Sequence, residues 1–222
     1  MEKNQILNAI KLLRNPENKK NFNQTFDFIV NLKNLNLKKP EEKVDIYTQL
    51  PNGRGKKLNI CAFVDDSLVL EAKKAFDGVV EKDQFAAYGK DKKKLKELAV
   101  KFDFFVAQAN LMADIAKNFG KVLGQRGKMP NPKAGCVIPP KIVLAPLIAR
   151  LQKTVRLQTK NELVVKCPVG TEDMDNEKVT ENVMSVYDTL VKALPQGENN
   201  VRSVYVKLTM SAPVKVGGGS DE

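Results

Sequence analysis

The chain is 222 residues long, carries 37 Lys and Arg against 26 Asp and Glu for a formal net charge of +11, and contains no histidine. Without histidine there is no imidazole acid–base chemistry and no His-containing zinc site, and Cys61, Cys136 and Cys167 lie too far apart to form a Cys-x-x-Cys pair. No apolar run approaches the ~18 residues of a membrane span, and the first twenty residues are rich in polar and charged groups, so neither a span nor a signal peptide is expected.

This length accommodates one large domain or two small ones, each able to bury a core. The basic surplus favours a polyanionic partner, because it steers phosphate-bearing ligands and gains from counterion release. An odd number of dispersed cysteines fits a reducing compartment, with Cys61 in a core.

In chain order, Asn4 to Arg14 places Ile6, Leu7, Ile10 and Leu13 on a helical stripe that Pro16 ends. Phe22 to Leu32 and Val44 to Leu50 read as strands. In the second, Val44, Ile46, Thr48 and Leu50 alternate with Asp45, Tyr47 and Gln49, as in a sheet with one wet face. After Pro51-Asn52-Gly53-Arg54-Gly55 the pattern changes, and Leu58 to Val64 is nearly all apolar, like a parallel strand covered on both sides. A helix over Ser67 to Phe76, a short strand at Val79-Val80, a lysine-rich helix from Asp91 to Lys101 and a strand from Phe104 to Ala107 follow. Asn110 is the expected N-cap of a helix from Leu111 to Phe119. Alternating strands and helices point to a small open α/β sheet.

A helix from Lys141 to Leu151 leads to Val155 to Gln158 and Leu163 to Lys166, where the alternating pattern returns. An amphipathic helix from Glu177 to Leu194 follows. In the last strand Val204, Val206 and Leu208 face one way, and Ser203, Tyr205, Lys207 and Thr209 face the other. Pro213 stops regular pairing, and Gly217 to Glu222 reads as a disordered tail. Wet-faced strands at both ends and covered strands between them predict one domain interrupted by another, with joints near Gly53 and Lys153.

Three segments carry a resemblance. Arg202-Ser203-Val204-Tyr205-Val206 followed by Thr209-Met210 is similar to the last strand of the ribosomal protein L-one family and its Thr-Met-Gly-Pro turn. Leu123 to Gly135, LGQRGKMPNPKAG, is similar to the family's Leu-Gly-x-Arg-Gly-x-x-Pro-Asn-Pro-Lys-Ala-Gly loop. Phe22-Asn23-Gln24-Thr25 resembles its Phe-x-x-Thr. With Leu50 to Lys56 and Cys167-Pro168-Val169-Gly170, these landmarks stand in family order from about residue 20 to 216. The resemblance implies a discontinuous α+β RNA-binding domain, residues 1–53 and 154–222, with an inserted small α/β (Rossmann-like) domain, residues 54–153.

The resemblance also implies a site and partners. Phe22, Thr25, Thr209 and Met210 form its centre, with Ser211 at the family's glycine position and Lys166, Arg202 and Ser203 as flanking contacts. A threonine hydroxyl can donate to and accept from a ribose 2′-OH, and Phe and Met can pack on sugars or bases. Lys and Arg supply the salt-dependent phosphate attraction. The implied partners are large-subunit rRNA at the mobile stalk, the chain's own mRNA and exit-site tRNA, for a cytoplasmic, ribosome-bound protein that is monomeric when free and needs no metal or cofactor. Thr209-Met210-Ser211-Ala212-Pro213 departs from the family turn, lacking its glycine and displacing its proline by one.

Other chemistry is weaker. Asp65-Asp66-Ser67 follows the covered strand without a Gly-x-Gly-x-x-Gly, and Met129 stands where a Walker loop needs Ser or Thr, so catalysis is not expected. Arg126, Lys128 and Lys133 in the Gly124 to Gly135 loop either face water, brace the two domains or touch RNA, and bracing is favoured over RNA contact. Asp91 to Lys96 is a charge run of the kind usually solvated. A nucleotide-dependent enzyme built on the central domain is the runner-up, and a generic basic nucleic-acid chaperone the third reading.

Overall fold

The computed structural model describes residues 1–139 and 143–217, and the chain divides into two compact units. The first joins Met1–Lys56 to the described residues from Lys153 onward, and the second is Lys57–Gln152. In chain order the first unit starts with α1 (Lys3–Leu13), β1 (Thr25–Leu32) and β2 (Asp45–Gln49). The second contains β3 (Ile60–Val64), α2 (Val69–Ala75), β4 (Gly78–Glu81), α3 (Phe85–Lys90), α4 (Lys92–Lys101), β5 (Phe104–Gln108), α5 (Met112–Gln125) and β6 (Val137–Ile138), and ends within α6 (Leu144–Lys153). The first resumes with β7 (Thr154–Gln158), β8 (Val164–Thr171), α7 (Asn176–Ala193), β9 (Val201–Leu208) and β10 (Val214–Lys215).

In the first unit an antiparallel sheet of order β10-β9-β1-β8 stands beside the β2-β7 pair. Strict alternation drives Phe26, Phe28 and Val30 of β1 and Val204, Val206 and Leu208 of β9 to the inner face. There they join Ile6, Ile10 and Leu13 of α1 and Val179, Val183, Val186 and Leu190 of α7. Each such side chain contributes about 1.5–3 kcal/mol on full burial. The helices cover one face and leave the other to solvent.

The second unit is a four-stranded parallel sheet of order β4-β3-β5-β6, with every residue of β3 buried as its unbroken apolar run requires. Phe63 centres an aromatic core, its ring centroid 5.6 Å from those of Phe85 and Phe105 and 4.8 Å from that of Phe119. All three cysteines are buried. Burial pushes the Cys61 and Cys167 thiols up to about 12 and that of Cys136 up to about 11.

Several elements differ from their sequence expectations. β1 starts at Thr25, leaving Phe22 in the approach to the strand. β8 runs on through Pro168 to Thr171; it is an edge strand with a register shift opposite Phe26 and Asp27, which is where a sheet tolerates proline. Asn110 lies in a 3-10 turn, Ala109–Leu111, and caps nothing. α5 continues past Phe119 to Gln125, anchored by buried Leu123 despite two glycines. After Pro213 pairing resumes, with Val214 opposite Val206 and Lys215 opposite Tyr205. The helix expected from Lys141 is described from Leu144, and residues 218–222 of the expected disordered tail lie outside the described residues.

Candidate nucleic-acid interface

The solvent face of the first unit's sheet is built by the residues that alternation turns away from the core. The β1–β9 register sets Asp27 opposite Lys207, Ile29 opposite Tyr205 and Asn31 opposite Ser203. The pairing of β1 with β8 adds Lys166 beside Ile29, so one row across the sheet reads Lys166, Ile29, Tyr205, Lys215. Asn31 donates from Nδ2 to Ser203 Oγ at 2.9 Å. Asp27 is half-buried, and burial raises its carboxyl above the ordinary 3.8 although Lys207 pulls it back.

At one end of this face the chain forms a braced corner. Thr25 N–H donates to Thr209 Oγ1 at 3.1 Å. Leu208 to Ser211 is a tight turn closed by Ser211 N–H donating to Leu208 O at 3.1 Å. Buried Gln24 holds the turn from below, its Oε1 accepting from Met210 N–H at 3.1 Å and its Nε2 donating to Asn18 O at 2.7 Å. Gln24 O in turn accepts from Glu172 N–H at 2.8 Å. With the backbone tied down, Phe22 is left 51% exposed and Met210 65% exposed. Two large apolar side chains thus stand outside the core at this corner.

Ser211 is nearly buried, and its Oγ accepts from Leu208 N–H at 2.9 Å. Its backbone lies outside the left-handed region, so the turn does not demand the glycine found at this position in the family motif. At the opposite end of the sheet Arg202 and Ser203, with Asn31 and Val164, line a depression of about 430 Å³. Another of about 410 Å³, sharing Val164, is edged by Lys160 and Lys166. Thus Phe22, Thr25, Thr209, Met210 and Ser211 gather at one end, and Arg202 and Ser203 lie toward the other. Lys166 is exposed on β8.

The residues singled out in the Gly124 to Gly135 loop do not act alike. Lys128 is drawn into the second unit, donating from Nζ to Ala99 O at 3.0 Å and Phe102 O at 2.6 Å, where it closes the C-terminal end of α4. Burial lowers its ammonium pKa, with Arg126 adding to the effect and Asp103 opposing it. Arg126 and Lys133 are exposed. Asn131 Oδ1 accepts from Lys133 N–H at 2.9 Å, and Gly135, at φ +73°, leaves the space a Cβ would need to the Arg150 guanidinium. Asp65 and Asp66 form no paired carboxylate site: Asp65 Oδ1 accepts from Asp66 N–H at 3.1 Å and starts a 3-10 turn.

Gln24, Asn31, Glu172 and Asp27 escaped the sequence reading. Only Gln24 had a signal, since it lies inside the Phe-x-x-Thr segment. The others acquire meaning through strand pairings more than a hundred residues apart.

Comparison with known proteins agrees with the landmarks along the chain. A relative from Methanothermobacter thermautotrophicus named large ribosomal subunit protein uL1 is 41% identical over 213 residues, covering 96% of this chain and 98% of its own. Its namesake from Thermococcus kodakarensis is 40% identical over 216 residues, 97% and 98% of the two chains. That from Thermoplasma acidophilum is 36% identical over 222 residues, the whole of both. The family model described as Ribosomal protein L1p/L10e family matches residues 12–212, and the chain belongs to that family.

Proposed function

We propose that this chain is a constituent of the large ribosomal subunit, cytoplasmic and ribosome-bound, that binds rRNA at the mobile stalk near the tRNA exit site through the solvent face and braced corner of its first unit. The observation that carries the reading is the corner itself. Phe22 and Met210 stand exposed beside the Thr25–Thr209 hydrogen bond, and Gln24 Oε1 accepts the Met210 N–H. Such a corner can pack on riboses or splayed bases while threonine hydroxyls reach 2′-OH groups, and it recognises shape more than base sequence. Lys166, Lys207 and Arg202 add phosphate attraction along the sheet.

The same surface serves a similar fold in the chain's own mRNA, making the protein a translational repressor, and exit-site tRNA is a further partner. The free protein acts as a monomer without metal or cofactor and catalyses nothing. Residues 1–53 with 154–222 form the RNA-binding domain, and residues 54–153 form an inserted domain that moves as a second body.

Binding of the full chain to an rRNA stalk fragment, to its own mRNA leader and to a scrambled RNA of equal length tests this reading. It predicts a preference of about 10³ or more for both structured targets, the low end of specific nucleic-acid recognition. Equal affinities for all three RNAs, with a steep salt dependence, would reduce the protein to a basic chaperone. Saturable nucleotide binding by the second unit would favour the enzyme reading.

A further inference from the structure

The positive charge is concentrated away from the sheet. Residues 57–152 hold 17 Lys and Arg against 10 Asp and Glu, a net +7, which leaves +4 for the rest of the chain. α4 gathers the excess: Lys92, Lys93, Lys94, Lys96 and Lys101 stand against a single acid, Glu97. Leu95 and Ala99 bury the inner stripe. Helical spacing then turns Lys93, Glu97 and Val100 outward, with Lys96 on one flank and Lys94 and Lys101 on the other.

Two lysines elsewhere in the unit are neutralised by acids, whereas on α4 Lys101 lies over the Phe102 ring, 5.4 Å from its centroid. Lys57 pairs with Asp77 and Lys73 with Glu81, each at 2.7 Å. Among the described residues the only ion pair on α4 is the long one, 3.7 Å, between Lys94 and Asp91. Lys92, Lys93 and Lys94 also fill the first turn of the helix, where the dipole favours acids, and only Asp91 offsets them by accepting from Lys93 and Lys94 N–H. Lys94 and Lys101 edge a depression of about 360 Å³ between α4 and the edge strand β4, with Glu97, Asp77 and Tyr88 the other titratable groups facing it besides Cys61. Val100 is 64% exposed beside this charge.

We propose that this face of α4 is a second RNA-contact surface, which holds the phosphate backbone through Lys93, Lys94, Lys96 and Lys101 without reading sequence. The choice of RNA rests on the reading of the protein as a ribosomal constituent and on the chemistry of the face. Protein interfaces are depleted in lysine and centred on aromatic or arginine anchors, and α4 presents neither. Flexible point charges along a helix suit a polyphosphate chain.

The test is the salt dependence of binding by the full chain after K93Q/K94Q/K96Q/K101Q, with K57Q/K73Q/K74Q/K82Q as an equal-charge control and circular dichroism confirming that both fold. The α4 variant is expected to flatten the slope of log K against log salt by roughly 0.7 to 0.9 for each phosphate it no longer neutralises. It should weaken the stalk fragment and the scrambled RNA by the same factor, leaving their ratio unchanged, while the control keeps a steeper slope. Slopes and affinities equal to the unmodified chain's, or a control variant weakened as much, would each overturn the proposal. Failure of the sheet to recognise its target reads out separately, as a ratio near one in every variant.

Discussion

Ser211 Oγ accepts the Leu208 N–H at 2.9 Å, so a side chain closes the turn that presents Met210, at a position where the family motif carries glycine. Because the backbone at Ser211 is not left-handed, Ser211→Gly should gain nothing in RNA affinity. It should lower unfolding stability by about 1–2 kcal/mol, through removal of the hydrogen bond and the added chain entropy. Denaturant unfolding and RNA titration of the same variant check both halves. A tighter complex would show that the turn needs closer backbone approach than serine permits.

Asp27 works against the surface it occupies. Its raised carboxyl pKa means that the folded state holds the proton more firmly than the unfolded chain, so stability falls as pH rises from 3.8 toward the folded value and stays lower above it. Asp27→Asn should therefore be more stable than the parent at pH 7, with the difference disappearing below about pH 4, and should bind RNA more tightly by removing a negative charge from the face. Thermal melts at pH 3.5 and 7, followed by titration, decide it.

The expectation that held best is the one that depends on nearest neighbours in sequence. Alternation in Val201 to Leu208 identified the strand and both of its faces, and the apolar run ending at Val64 identified a covered parallel strand. Alternation cannot say what a strand pairs with. The proline in β8 is acceptable only because β8 lies at a sheet edge beside a register shift, and that is a property of β1 and β8 together. Gln24 illustrates the same limit. It reads as an ordinary polar residue until the fold brings Met210 N–H, Asn18 O and Glu172 around it. α5 outran its expected end because burial of Leu123 outweighs the roughly 1 kcal/mol that each helical glycine costs.

Lys128 gives a test of the loop. Its ammonium meets two carbonyls at the end of α4, so Lys128→Met should destabilise the second unit by about 1–3 kcal/mol. RNA affinity should not change beyond the effect of removing one charge. A large drop in affinity at unchanged stability would instead make Lys128 an RNA contact.

The cysteines should be silent. With thiols pushed up to about 11 or 12 by burial, Cys61, Cys136 and Cys167 should not react with an aromatic disulfide reagent at pH 8 in the folded protein, and all three should react after denaturation. Prompt labelling of any one in native buffer would reveal local opening.

The most direct measurement is the affinity of Phe22→Ala/Met210→Ala for the rRNA stalk fragment and for a scrambled RNA, in parallel with the unmodified chain. Both side chains are exposed, so folding should be unaffected. If they pack on riboses or bases, the double variant should lose about 10²-fold or more on the stalk fragment and little on the scrambled RNA, since each stacking contact is worth about 1–3 kcal/mol. An unchanged affinity for the stalk fragment would contradict RNA recognition at this corner of the sheet.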